Sequence, residues 1–323
     1  MIKNILITGG AGYIGSHISE ILAKNKKKIY IIDNLSSGYR KLINKKAKFF
    51  KANILNYKIV KKIIKKNKID SVIHLAANLI ISEGEKYPKK YFKNNVTGTQ
   101  NLLKACSDST IKNFIFSSTA AIYKDGQFKV SENSIIKPKS VYGKTKIKCE
   151  KIIQSFCKNS NINYGILRYF NIAGSSPSGK IGLINKSDHL FKNFSREIMK
   201  KKPVLKIYGN NYKTKDGSCI RDFVHVSDIA EIHLKVLNKI DKINKSVVLN
   251  CGYNKGISVL EVAKEFKKQT SKKVKILITK RRKADLVKII ATNKKLMRFI
   301  QWKPKFNDLR KIVKSCLMWE KRQ

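Results

Sequence analysis

A chain of 323 residues, 42% of them hydrophobic, holds enough apolar material for one large or two ordinary cores. Its formal charge of +49, from 70 lysines and arginines against 21 aspartates and glutamates, attracts polyanions, but the lysines are spread along the whole length without interleaved stacking aromatics, which speaks against specific nucleic-acid recognition. No stretch approaches the roughly 20 apolar residues of a membrane span, and the six cysteines form no C-x-x-C pair and no metal-ligand spacing with the five histidines, so the expectation is a soluble, cytoplasmic protein with reduced thiols, no metal and no membrane partner.

In chain order, Met1-Ile2-Lys3-Asn4 leads straight into a strand with no long apolar segment behind it, so an unexported protein is expected. Lys3 to Thr8 is a short β-branched run of the kind that makes a buried parallel strand, and Ile14, Ile18, Ile21 and Leu22 recur at helical spacing. Between them lies Thr8-Gly9-Gly10-Ala11-Gly12-Tyr13-Ile14-Gly15-Ser16. Glycine there lets the chain turn sharply, lets phosphate oxygens approach the backbone and lets the helix pack closely on the strand, while the helix start offers N–H groups and a positive dipole. A second strand, Lys28 to Ile32, ends in Asp33-Asn34, where a carboxylate accepts both ribose hydroxyls and repels a 2′-phosphate; this favours NAD over NADP. Leu35 to Lys46 is polar and reads as a loop with a short helix over the adenosine. A third strand near Ala47 to Lys51 leads to Asn53 and Ile54. The helix that follows, around Ile59 to Lys66, places its apolar pairs at helical spacing and its lysines on a solvated face, as a bias of composition would.

Ser71 to Ala77 reads as a fourth buried strand whose small end, Leu75-Ala76-Ala77, is a place for a nicotinamide nucleotide to cross the sheet edge; His74 within it reads as a hydrogen-bonded core residue. A helix is expected to begin at Asn94-Asn95, and Asn113 to Thr119 is a fifth strand running into the hydroxyls Ser117, Ser118 and Thr119. Strands alternating with helices at this rhythm imply an α/β fold, a Rossmann-type doubly wound parallel sheet. In the next helix Tyr142 and Lys146 lie one turn apart on one face. An ammonium beside a phenol, helped by an oxidised nicotinamide, is expected to bring the phenol down from about 10 toward working pH, so that the pair takes a proton from a sugar hydroxyl.

These residues resemble the extended short-chain dehydrogenase/reductase superfamily, and within it the UDP-glucose 4-epimerase family, over nearly the whole chain. The specific blocks are Phe116-Ser117-Ser118-Thr119-Ala120-Ala121-Ile122-Tyr123, Arg168-Tyr169-Phe170-Asn171-Ile172-Ala173-Gly174, Asp216-Gly217-Ser218-Cys219-Ile220-Arg221-Asp222-Phe223-Val224-His225-Val226 and Arg281-Arg282-Lys283-Ala284-Asp285-Leu286. The resemblance implies an isomerase of nucleotide-sugar and galactose metabolism, with a retained NAD, that interconverts UDP-glucose and UDP-galactose through a 4-keto sugar and enzyme-bound NADH. It makes Tyr142 the base, Thr119 its hydrogen-bonding partner and Lys146 the holder of ribose hydroxyls. Gly9, Gly12, Tyr13, Ile14, Gly15, Asp33, Asn34, Asn53, Ile54, Leu75, Ala76, Ala77, Asn95, Ser117 and Phe170 would then surround the cofactor. Asn171, His189, Leu190, Arg221, Arg282 and Asp285 would hold the UDP, since guanidinium forks suit a diphosphate and a carboxylate suits ribose hydroxyls.

Ala120 and Ala121 stand where sugar 4,6-dehydratases carry an Asp-Glu pair, so elimination lacks its proton source. Departures from the family pattern are Asn53 for a usual aspartate, the absence of Gly-x-Lys in Asn78-Leu79-Ile80-Ile81, Ala284 for a usual glycine and His189 for an asparagine. By the same resemblance Ile289 would stand at the position that gates the sugar pocket, which leaves a UDP-N-acetylglucosamine 4-epimerase open; a nucleotide-sugar reductase on the same scaffold is a further alternative, and a nucleic-acid-binding protein on a vestigial nucleotide fold is the remote one. The resemblance also implies a homodimer through the helices near Asn95 and Tyr142. The organisation expected is a dinucleotide-binding domain over 1–172, with 224–251 returning to it, and a sugar-nucleotide domain over 173–323, in which Ser258 to Phe266 is amphipathic with Val259, Val262, Ala263 and Phe266 inward. The active site then lies in the cleft between the two.

Overall fold

The structure, a computed structural model, describes residues 2–107, 109–184, 189–282 and 286–323. Its elements in chain order are β1 (Asn4–Thr8), α1 (Tyr13–Lys24), β2 (Lys28–Asp33), β3 (Ala47–Lys51), α2 (Tyr57–Lys66), β4 (Ser71–His74), α3 (Ile81–Lys86), α4 (Pro88–Tyr91), α5 (Gly98–Cys106), β5 (Asn113–Thr119), β6 (Lys129–Val130), α6 (Val141–Lys158), β7 (Asn163–Tyr169) and β8 (Asn171–Ala173). Then follow α7 (Leu190–Met199), β9 (Val204–Tyr208), β10 (Ile220–Arg221), β11 (Phe223–His225), α8 (Val226–Ile243), β12 (Val247–Cys251), β13 (Ile257–Ser258), α9 (Val259–Lys268), β14 (Lys275–Thr279), β15 (Lys288–Ala291), α10 (Lys294–Ile300) and α11 (Leu309–Glu320).

Seven parallel strands form the main sheet in the order β12-β7-β5-β4-β1-β2-β3. Strands such as β4 and β5 are apolar on both faces because helices cover both, the reason their sequences run apolar without alternating. One face packs against α2, α5 and α6 through Val60, Leu102, Phe114 and Ile153; the other packs against α1 and α8 through Ile18, Leu22, Ile229 and Leu237. The strand order reverses between β1 and β4, so the loops leaving those two strands part and open a crevice at their carboxyl ends. β12 joins the sheet beside β7, with Leu249 opposite Leu167. A second sheet, β13-β10-β15-β6, lies over that end, and through β6 it includes the segment that follows β5.

Two element boundaries differ from expectation. Pairing of β4 stops at His74, before Ala77, because the chain leaves the sheet to pack Ala76 against Gly9. The helix expected at Asn94 begins at Pro88, whose lack of an N–H suits a first helical position, and runs through a π-turn over Phe92–Thr97 into α5. The amphipathic helix near the carboxyl end is α9, where Ser258 and Glu261 form a capping box and Val262, Ala263 and Phe266 are buried.

Candidate active site

The glycine-rich turn connects β1 to α1. Gly9 has φ +74, and a Cβ there would stand 2.8 Å from the Ala76 nitrogen; one on Gly15 would stand 2.5 Å from the Gly9 carbonyl. Both positions therefore exclude side chains, one for its left-handed backbone and the other for close helix packing. Gly12 caps α1 without any side-chain hydrogen bond, and no acid lies in the first turn, so the helix start presents main-chain N–H groups of Tyr13 and Ile14 with the positive end of the dipole behind them. The Tyr13 hydroxyl donates to the Gly174 carbonyl at 2.5 Å, tying this turn to the chain beyond β8.

Asp33 is 8% exposed; its oxygens accept from Ala11 N at 3.0 Å and Leu35 N at 2.8 Å. Burial raises its pKa and the two N–H donors oppose that. Each oxygen keeps a lone pair for a hydroxyl. Asn34 accepts from Ser36 N, and the Asn53 oxygen accepts from Leu55 N at 2.9 Å, so both amides shape their own loops. Ile54 packs into the core under α5, and Leu75 N donates to the Thr8 carbonyl. An uncapped helix start, a side-chain-free turn and an anchored carboxylate at the crevice fit a dinucleotide such as NAD.

Behind this turn, His74 is a buried link between elements, as expected. Nδ1 meets the Thr8 hydroxyl at 2.7 Å and Nε2 the Thr99 hydroxyl at 2.9 Å, while Thr99 donates to the Asn95 carbonyl. Since Thr99 spends its proton on Asn95, His74 donates from Nε2 and accepts at Nδ1. Burial pushes its pKa down to about 3, so it is neutral. The Asn95 side chain is bonded to both main-chain groups of Asn78 and donates to Thr145, so the π-turn holds the loop after β4 against α6.

Ser140 caps α6 by accepting from Gly143 N, and the helix lies on β5. Tyr142 is hydrogen-bonded to the side chain of Thr119. Lys146 is 3% exposed and donates from Nζ to the Ser117 carbonyl at 2.7 Å. Its Nζ lies 5.8 Å from the centre of the Tyr142 ring. The expected lowering of the phenol does not occur in the protein chain itself. Burial pushes Tyr142 up to about 12 against the opposing bond from Thr119, and burial also brings Lys146 down to about 8. Desolvation penalises both charged forms, and the ammonium points to a carbonyl on β5.

Phe170 and Ile289 are buried with Ala120, Ile122, Tyr123 and Ala291 in an apolar cluster next to Thr119. Asn171 opens β8, exposed, with its N–H on the Asp222 carbonyl. Leu190 opens α7 and packs on the core, and His189 before it donates from Nε2 to the Ile172 carbonyl at 2.7 Å. Arg221 stands beside Ile289 across the β10–β15 pair, and its Nη1 donates to the carbonyls of Ile220 and Leu286 at 3.0 and 2.7 Å. Asp222 is fully buried and accepts N–H groups of Tyr253, Asn254 and Ala291. Arg282 lies over the Tyr208 ring at 3.7 Å. Asp285, with Lys283 and Ala284, lies outside the described residues.

Residues 5–252 match the NAD dependent epimerase/dehydratase family. The chain belongs to that family. It is 37% identical to the UDP-glucose 4-epimerase of Lactobacillus helveticus over 319 residues, 98% of this chain and 97% of that protein. Among solved structures it is similar to a UDP-glucose-4-epimerase from Stenotrophomonas maltophila with bound NAD and formylated UDP-arabinopyranose, at TM-score 0.95 and 29% identity over 99% of this chain and 98% of that one. It is also similar to a UDP-Glc/GlcNAc 4-epimerase from Campylobacter jejuni, at TM-score 0.86 and 37% identity over 99% of this chain and 100% of that one. The epimerase family thus accounts for the parallel sheet, the glycine-rich turn and the Tyr142–Lys146 helix together. Among the described residues no helix is long and apolar enough to cross a membrane, and all six cysteines are buried free thiols. Ser118 and Arg168 lie inside the motif blocks, but Glu150, which joins them beside β5, belongs to no short motif; an acid on the inward face of a lysine-rich helix is its one signal.

Proposed function

We propose that this chain is a UDP-glucose 4-epimerase with retained NAD. The observation that carries this reading is the placement of Tyr142, Thr119 and Lys146 at the carboxyl end of β5, beside the crevice where the glycine-rich turn and Asp33 suit a dinucleotide. When bound, NAD supplies the acceptor and donor of hydride for C4 of the sugar. Gly9, Gly12, Gly15 and the start of α1 would take its pyrophosphate, and Asp33 a ribose. Tyr142 accepts the proton of the sugar 4-hydroxyl through its phenol oxygen, and Thr119 orients that oxygen. Lys146 keeps a positive charge within the site, which favours the phenolate that accepts the proton. Once the sugar has turned its other face for hydride return at C4, Tyr142 gives the same proton back to the 4-oxygen, so no further acid is needed, and Ala120 and Ala121 offer none for elimination of water. Arg221, Arg282, Asn171, His189, Leu190 and Asp285 are assigned to the UDP.

A second substrate is favoured by one feature. Ile289 is buried in one cluster with Phe170 and Ala291, and, assigned to the gate of the sugar pocket, its aliphatic side chain leaves room for UDP-N-acetylglucosamine. A homodimer through the helices near Asn95 and Tyr142, and a cytoplasmic place in galactose metabolism, complete the proposal. Tyr142→Phe tests the mechanism. Turnover of UDP-galactose should fall by about 10²–10⁴, the usual contribution of a general base, while NAD stays bound, as read by release on denaturation; unimpaired turnover would remove Tyr142 from the reaction.

A further inference from the structure

Glu150 lies one turn beyond Lys146 and two beyond Tyr142, on the face of α6 that meets β5, and is 1% exposed. Ser118 donates to its Oε1. Arg168 on β7 donates to the same oxygen from Nε at 3.1 Å and to Oε2 from Nη2 at 2.7 Å. The arginine's remaining nitrogen, Nη1, donates to the Tyr123 hydroxyl at 3.0 Å and the Glu132 carbonyl at 3.1 Å, and Tyr123 donates onward to Asn250 on β12. Three successive turns of α6 therefore grip three successive residues of β5: Lys146 takes the Ser117 carbonyl, Glu150 the Ser118 hydroxyl and Tyr142 the Thr119 side chain.

A buried ion pair contributes little net stability compared with apolar residues of the same volume, so stability alone does not account for this one. We propose that Glu150 is a positioning residue of the epimerase: braced by Arg168, it fixes α6 against the hydroxyl end of β5 and keeps a negative charge one turn from Lys146. The proposal rests on Tyr142 and Lys146 being the reacting pair. The titratable groups around Lys146 are Tyr142, Cys149 and Glu150 on its own helix and neutral His74 on β4, with Arg168 of β7 behind Glu150. Of these, Glu150 is the carboxylate. Deleting its charge leaves the Arg168 cation uncompensated, which draws the proton off Lys146 at lower pH.

The test uses the holoenzyme with Glu150→Gln. A sub-ångström to 1 Å misplacement costs on the order of 10²-fold in rate, so kcat for UDP-galactose should drop by that factor with KM unchanged, and the alkaline limb of kcat should move to lower pH. Glu150→Asp should hold the limb at the parental pH while losing part of the rate. Glu150→Met with Arg168→Met restores volume without charge; it should match the parent in Tm and NAD retention yet keep the low kcat. This double variant carries the test if Glu150→Gln fails to fold. Parental kcat and pH profile in Glu150→Gln, or parental kcat in the double variant, would overturn the proposal. Full turnover by Tyr142→Phe, measured alongside, would instead overturn the site assignment beneath it.

Discussion

Gly9 shows what a single residue decides at this site. Its φ of +74 and the 2.8 Å between a would-be Cβ and Ala76 N mean that Gly9→Ala combines a left-handed backbone with a collision against main chain that has no rotamer to give way. The left-handed conformation alone costs about 1–2 kcal/mol for a residue with a side chain. Gly9→Ala should therefore lower Tm and release NAD on gel filtration, and retention of the full NAD content would show that the turn tolerates a side chain. Such a position is legible in a sequence because glycine is chosen by local backbone geometry. The ionisation of Tyr142 is not. Its spacing from Lys146 announces proximity, but the phenol's rise to about 12 comes from burial, against an opposing bond from Thr119, while the ammonium donates to the Ser117 carbonyl, and neither is written in the helix. Arg221 teaches the same lesson: an arginine in a lysine-rich chain signals a purpose, yet its Nη1 is engaged by the carbonyl of its own neighbour Ile220 and by that of Leu286, 65 residues away, which only the fold brings near.

At the scale of elements, β1, β2, β3 and β5 and the helices α1, α2 and α9 could be read from the apolar pattern, since each buries an apolar face against a sheet or core that demands it. The π-turn over Phe92–Thr97 could not. It exists because Asn95 is pulled toward Asn78 and Thr145 on two other elements, and the extra residue in that turn is absorbed without any mark in the sequence. The result is that the π-turn leading into α5, the loop after β4 and α6 are hydrogen-bonded into one support under the site. The short strands β6 and β15 escaped notice for a related reason: two to four residues carry no period, and their pairing joins the loop after β5 to the second sheet.

At the scale of the molecule, all five histidines are partly or wholly withdrawn from water, and burial lowers the pKa of each. His17 and His233 fall to about 4, His74 and His225 to about 3. A base depressed in the folded state adds stability that is fully present above its unfolded value of 6.5 and is lost as pH falls toward the folded one. Each such histidine gives up about 1.4 kcal/mol per pH unit through that window. The urea midpoint should therefore fall steeply between pH 6.5 and about 4, on top of the mutual repulsion of a chain at +49; a midpoint flat across that range would mean the histidines are solvated.

The central claim, an epimerase that carries its own NAD, is tested most directly by incubating the purified protein with UDP-galactose and no added cofactor and following the sugar nucleotides by NMR. UDP-glucose should accumulate to a fixed ratio that is also reached from UDP-glucose, and a parallel reaction with UDP-N-acetylglucosamine reads the tolerance of the Ile289 wall. If neither sugar changes even with NAD supplied, the function is wrong and the fold alone stands.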